Sequence, residues 1–281
     1  MSKVPMRTRT TFKDSNIDTF LMFEELHVIL PGQKFKFIEG KQTVQFSLQP
    51  SLIDEINSGK RDGQFRNEIQ FRVWNFTNSE DWAEIYLCIE VNNYPVFVPQ
   101  PSPHIIYITA YCALEKNFSN HLKISSPRPE VLENFAFCLS IVARFTPAEI
   151  IEQHPLKEVF NATKALANNM MNGVEDRRFA LGLYDLAGNV INEPCRSNVC
   201  DHPEVFDLET FLKNMQYNLQ WKCPICAKKI KYQDLEIDRF LKRMKMNGKT
   251  VLHFYKRRNP KKFQQMCGDE IICEQEIIVI D

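Results

Sequence analysis

The chain carries no surplus of charge: across its 281 residues, 35 Lys and Arg balance 35 Asp and Glu. A surface that tracks nucleic acid along the whole molecule needs a basic excess. That class is excluded for the chain as a whole, and only local patches remain. No apolar run approaches the ~20 residues that span a bilayer, so no membrane partner is expected. Met1 to Lys13 is basic, but no apolar segment follows it, and it does not read as a secretory signal. Glycine is scarce, nine residues against 21 Phe, which argues against flexible low-complexity sequence and for sheet-rich cores. Nine cysteines, an odd number without such a signal, argue for reduced thiols in the cytosol or nucleus rather than a disulfide framework.

What is present is a chain long enough for two modest domains and apolar enough, at 44%, to pack a core. Residues 1–15 are polar and basic and read as a disordered tail. Strand-like alternation follows in Phe35–Ile38, Val44–Leu48 and Glu68–Trp74, and Ile85–Val91 has the composition of a buried strand. Pro31-Gly32, Glu39-Gly40 and Asn92-Asn93 break these runs. Ile105–Ala113 and Phe118–Ile124 read as further strands, and the apolar run Phe135–Phe145 closes the set. Residues 16–146 are therefore expected to form a β-sandwich. Thr146-Pro147-Ala148-Glu149 resembles a helix start. Residues 147–175 read as a helical connector, broken by Pro155 and ended near Gly173. A strand at Phe179–Tyr184 leads into a cysteine cluster, and Leu235–Met246 reads as an amphipathic helix. The expected class is α+β in two domains, with a zinc module and its extension over 176–260 and a tail over 261–281.

The chemistry lies in Cys195, Cys200 and His202, followed by Cys223-Pro224-Ile225-Cys226. Zinc takes four soft or borderline ligands at tetrahedral corners. Cys-x-x-Cys supplies two thiolates from one tight turn, and Cys-x-His supplies two more donors. Five candidates compete for four places, and spacing alone does not choose between Cys195 and Cys200. Reduced core cysteines and a redox dithiol are the competing readings; the paired spacing disfavours the first, and the lack of a legible βαβ unit disfavours the second. A cross-braced RING needs two zincs and eight ligands. Cys88, Cys112, Cys138, Cys267 and Cys273 are scattered and have no partner knuckle, so the module has ligands for one zinc.

Pro194-Cys195-Arg196, Cys200-Asp201-His202, Phe206-Asp207, Phe211-Leu212, Trp221-Lys222-Cys223-Pro224-Ile225-Cys226 and Leu235-x-Ile237-Asp238 together resemble the SP-RING of the Siz/PIAS family of SUMO ligases. The resemblance covers about residues 176–250. It implies one structural Zn2+ held by Cys200, His202, Cys223 and Cys226, and makes Cys195 a non-ligand. Ile105-Ile106-Tyr107-Ile108-Thr109 matches three of five positions of that family's PINIT motif, so residues 16–146 are similar to the PINIT domain. No SAP-like helical segment is legible ahead of them, which argues against direct DNA binding.

The resemblance implies a nuclear SUMO-protein ligase that forms no covalent intermediate. Its partners would be a SUMO-charged conjugating enzyme, SUMO itself and protein substrates selected by the PINIT-like domain. No catalytic side chain is expected, because such a module works by positioning. Pro224 and Ile225 on the knuckle are the candidate contacts to the conjugating enzyme, with Trp221 as a third that reads more readily as core. The alternatives are a non-catalytic zinc-finger adaptor or co-regulator that recruits sumoylated partners, and a ubiquitin ligase.

The tail is polarised. Leu241–Lys262 holds nine Lys or Arg and no acid, whereas Cys267–Asp281 holds five acids and no Lys or Arg. The basic run Lys256–Lys262 reads equally as an import signal, a contact or a solvated face. Ile277, Ile278, Val279, Ile280 and Asp281 resemble a SUMO-interacting motif, in which an apolar strand adds to a sheet edge and flanking acids meet a basic rim. A final core strand is the competing reading. Ile271-Ile272 is a weaker second candidate.

Overall fold

The computed structural model describes residues 21–61, 64–77, 84–171, 178–185, 187–218 and 221–256, together with the backbone of 276–280. The basic tail 1–15, Gly173, the run beyond Lys256, Ile271-Ile272 and Asp281 lie outside the described residues.

The N-terminal half runs β1 (Phe23–Lys34), β2 (Lys41–Ser47), α1 (Pro50–Ser58), β3 (Lys60–Arg61), β4 (Gln64–Phe65), β5 (Asn67–Asn75), β6 (Cys88–Val91), β7 (Tyr94–Val96), β8 (Ile105–Tyr107), β9 (Ser119–Ser125) and β10 (Phe135–Arg144). Two four-stranded antiparallel sheets form, in the orders β1-β10-β5-β8 and β2-β9-β6-β7. Phe71, Phe137 and Leu139 of the first sheet share a core with Ile89, Leu122 and Ile124 of the second, which makes a β-sandwich. The Asn92-Asn93 break is the two-residue turn between β6 and β7, with φ of 53° and 68°. Both values belong to a turn whose twist matches that of the flanking strands.

The structure departs from the sequence reading at several points. Pro31-Gly32 does not interrupt β1, which runs through it with register shifts against β10. Residues 105–113 do not form one strand: β8 stops at Tyr107, and Thr109–Tyr111 winds into a 3₁₀ turn. The helix α1 was not legible, because only Ile53 and Ile56 of its nine residues are buried and its pattern is too short for a period.

The continuous apolar run of β10 has a specific cause. Phe135, Phe137, Leu139 and Ile141 face the sandwich core, while Ala136, Cys138 and Val142 enter a second cluster on the opposite face. That cluster belongs equally to the C-terminal half. Trp74, Ile105 and Val142 pack in one apolar body with Phe206, Leu212 and Trp221. Both faces of the β10 sheet are therefore covered, which removes the usual polar alternation.

The C-terminal half continues with α2 (Pro147–Gln153), β11 (Lys157–Val159), α3 (Ala162–Met170), β12 (Arg178–Gly182), β13 (Pro194–Ser197), β14 (Phe206–Asp207), α4 (Leu208–Met215), β15 (Leu235–Asp238), α5 (Arg239–Met246), β16 (Val251–Lys256) and β17 (Glu276–Ile280). α2 begins at the expected Thr-Pro start, and Thr146 and Glu149 close a capping box on it. The segment read as a helical connector holds a strand as well. β11 pairs in parallel with β15, in the sheet β11-β15-β13-β14, and so is built into the zinc module. Leu235–Met246 is likewise not one helix. Its first four residues are a fully buried strand, and Asp238 then caps α5 by accepting the Leu241 N–H at 3.0 Å. A third sheet has the order β12-β16-β17, with β17 parallel to β16.

Candidate metal centre

β13 carries Cys195-Arg196-Ser197 into a loop that bears Cys200 and His202. The second pair of donors sits on a hairpin bridged between Lys222 and Lys229. Within it the Cys223 N–H donates to the Lys228 carbonyl at 2.8 Å, and the Ala227 N–H to the Cys223 carbonyl at 2.9 Å. Ala227 closes this turn at φ 59°, a left-handed conformation that a Cβ disfavours. Lys228 ties the hairpin to the other loop through an ion pair with Asp201 at 2.5 Å.

The structure brings the donor atoms of Cys200, His202, Cys223 and Cys226 within 4.8 Å of one another. Cys200 Sγ lies 3.6 Å from Cys226 Sγ, and Cys223 Sγ lies 3.4 Å from His202 Nε2. Zinc–sulfur bonds of about 2.3 Å and zinc–nitrogen bonds of about 2.0 Å at tetrahedral angles give edges of about 3.5–3.8 Å. The four residues therefore fit one zinc, and with all four corners taken by protein the site is structural. His202 Nδ1 lies 3.1 Å from the Glu204 carbonyl, which orients the ring and leaves Nε2 for the metal. Burial pushes the Cys200 thiol up to about 12. Among the described residues no second such group occurs.

Cys195 does not join the cluster. It is fully buried in β13, its thiol contacts the Arg196 carbonyl at 3.6 Å, and burial raises its pKa. Arg196, its neighbour, is the residue that sequence reasoning missed. Its guanidinium is 2% exposed and donates to Thr163 Oγ1 at 2.5 Å and the Pro203 carbonyl at 2.8 Å. It also pairs with Asp238 at 3.3 Å, and Thr163 donates to that same carboxylate. One buried cation thereby ties α3, β13, the zinc loop and the start of α5 together. In a cross-braced RING a second metal would bind such parts. Thr163 and Asp238 lie more than thirty residues from Arg196, so no local spacing announces the network.

Of the candidate contact residues, Pro224 and Ile225 are exposed at the knuckle, Ile225 by 39%. Trp221 is 3% exposed and packs edge-on against Phe211 and Tyr232, so it supports the knuckle from beneath and offers no surface to a partner. Residues 276–280 form β17, whose backbone pairs with Leu252–Lys256.

Fold and site together define a single-zinc, RING-like finger seated on a β-sandwich. Residues 185–229 match the MIZ/SP-RING zinc-finger family. The E3 SUMO-protein ligase PIAS2 of Homo sapiens is 26% identical over 223 residues, 69% of this chain and 35% of that protein. The E3 SUMO-protein ligase pli1 of Schizosaccharomyces pombe is 41% identical over 51 residues, 18% of this chain and 7% of that protein. The finger over residues 185–229 is thus similar to the MIZ/SP-RING fingers, and these relatives are named as SUMO-protein ligases. The chain spans a little over a third of the length of the PIAS2 relatives it matches. The crystal structure of the S. cerevisiae SUMO E3 ligase SIZ2 superposes with a TM-score of 0.61 at 18% identity, over 83% of this chain and 95% of that one, and that of SIZ1 with 0.54 at 16%. These likenesses show the shared fold.

Proposed function

We propose that this protein is a SUMO-protein ligase whose zinc finger docks a SUMO-charged conjugating enzyme. The observation that carries the reading is the exposed Pro224-Ile225 tip, held rigid between two donors of a fourfold cluster. A ligase of this kind supplies no reacting side chain. The substrate lysine amine attacks the thioester carbonyl, and the conjugating enzyme's thiolate leaves. The finger restrains the charged enzyme so that this geometry is sampled more often.

The metal, held by Cys200, His202, Cys223 and Cys226, would fix the loop and the knuckle relative to each other. The sandwich would select substrates, and the acid-flanked segment 276–281, of which 276–280 form β17, would bind SUMO. That strand already uses one edge to pair with β16, so a SUMO sheet would add to its other edge or displace β16. The nucleus is the compartment that fits these partners. The names carried by the relatives favour a ligase over an adaptor.

Calorimetric titration of the conjugating enzyme into the chain tests the docking surface. Ile225→Ala is expected to weaken binding about tenfold, in line with the loss of one well-placed interface anchor, while zinc content stays at one per chain. Equal affinity of both proteins, or no binding by either, would contradict the assignment.

A further inference from the structure

The segment that resembles the PINIT motif does not face open solvent; it seats the zinc module. The Ile105 N–H donates to the Tyr217 carbonyl at 3.3 Å, and Ile105 itself is fully buried in the shared apolar cluster. Tyr107 Oη donates to the Gln216 carbonyl at 3.3 Å and meets the Tyr217 ring edge-on at 5.6 Å. Thr109 Oγ1 donates to Glu68 at 2.8 Å, and the other oxygen of Glu68 accepts from Arg144 at 2.9 Å.

Arg144, at the end of β10, reaches across the seam. Its Nη2 donates to Gln216 Oε1 at 2.6 Å, and its guanidinium lies 4.3 Å from the Tyr107 ring centroid. Gln216 is 6% exposed, and both ends of its carboxamide are used: Nε2 donates to the Phe145 carbonyl at 2.7 Å. A carboxamide accepts from a guanidinium through its oxygen and donates to a carbonyl through its nitrogen at once. Gln216 follows α4 directly and stands seven residues before Cys223. The polar latch therefore sits where the chain leaves the sandwich side and enters the knuckle.

We propose that Arg144, Gln216 and Tyr107 are positioning residues that set the finger's orientation on the sandwich. This inference rests on the ligase reading, under which the sandwich holds the substrate and the knuckle holds the charged enzyme. Two reactants on one rigid frame meet at a high effective concentration, whereas the same two on a loose joint do not. The motif that marks the sandwich then serves as the seat for the finger.

The test uses the full chain with Gln216→Ala, Arg144→Gln and the milder Tyr107→Phe. Amide hydrogen exchange reads the seam directly. The Ile105 N–H is expected to exchange at least tenfold faster in Gln216→Ala, while the Cys223 and Ala227 N–H groups and the zinc content are unchanged. Activity supplies the second readout. Discharge of the charged conjugating enzyme onto free lysine needs only the finger, and should stay within twofold of the unsubstituted chain. Self-modification of sandwich lysines, mapped by mass spectrometry, should spread from a narrow set to a broad one. Unchanged exchange at Ile105, or an unchanged lysine pattern, overturns the proposal. If Gln216→Ala and Arg144→Gln do not fold, Tyr107→Phe decides through the same readouts. If the unsubstituted chain discharges nothing, the ligase reading fails, and the seam is judged on exchange alone.

Discussion

At the scale of single residues, His104 and Ala227 each make a measurable claim. Burial lowers the His104 imidazole from 6.5 to about 4. Above pH 6.5 it is neutral in the folded and the unfolded chain, so it adds no pH dependence. Between pH 6.5 and 4 the unfolded chain takes up a proton that the folded chain refuses, and stability falls as pH falls. The full loss is about 3 kcal/mol. Urea unfolding followed at several pH values should show this slope, and His104→Phe should flatten it. Ala227, at positive φ in the knuckle, should gain from the reverse kind of change: Ala227→Gly is expected to stabilise the finger by about 0.5–1 kcal/mol. A lower thermal midpoint for this variant would contradict that.

Cys223, Cys226 and His202 were legible as individual residues because Cys-x-x-Cys and Cys-x-His are close in sequence, whereas Cys200 was preferred to Cys195 only through the family resemblance. Chemistry then restricts what such spacing can mean. Arg196, Gln216 and Arg144 were not legible, because each acts through partners more than thirty residues away.

At the scale of elements, the Arg196 network decides whether the zinc module holds its shape. Removing one member leaves a buried charge unpaired. Asp238→Ala should cost about 3–5 kcal/mol, and replacing both partners by apolar residues, Arg196→Met with Asp238→Leu, should cost less than that single change. Denaturant unfolding of the two variants checks the order. A larger loss in the double variant would show that the pair is favourable beyond its own desolvation.

Elements were read correctly where one signal ruled: alternation in β5, a continuous apolar run in β10 and a Thr-Pro helix start in α2. They were misread where two periodicities share residues. Leu235 and Ile237 fit a strand, and together with Phe240, Leu241 and Met244 they also fit a helix face; the Asp238 cap is what separates them. The short β11 was hidden because its three residues, Lys157–Val159, carry no alternation long enough to register.

At the scale of the molecule, one apolar cluster joins the outer face of the sandwich to the interior of the finger. The sequence showed a sandwich and a finger, but a sheet buried on both faces leaves only a continuous apolar run, which does not say what lies on the second face. The shared cluster predicts that the metal stabilises more than its own loops. Zinc binding contributes folding free energy to whatever folds cooperatively with the site. A strong chelator should therefore lower the thermal midpoint of the whole chain and raise exchange at Trp74 and Ile105 as well as at Trp221. Loss confined to residues 194–238 would show that the halves fold independently.

The central claim is that a zinc-held knuckle accelerates SUMO transfer without a reacting side chain of its own. Its most direct test is a single-turnover measurement. The conjugating enzyme is charged with SUMO, and its discharge onto free lysine is followed with no ligase, with the full chain, and with His202→Ala. The account predicts at least a tenfold faster discharge with the chain, lost with His202→Ala together with the zinc. Discharge at the ligase-free rate with a chain that retains its zinc would contradict it.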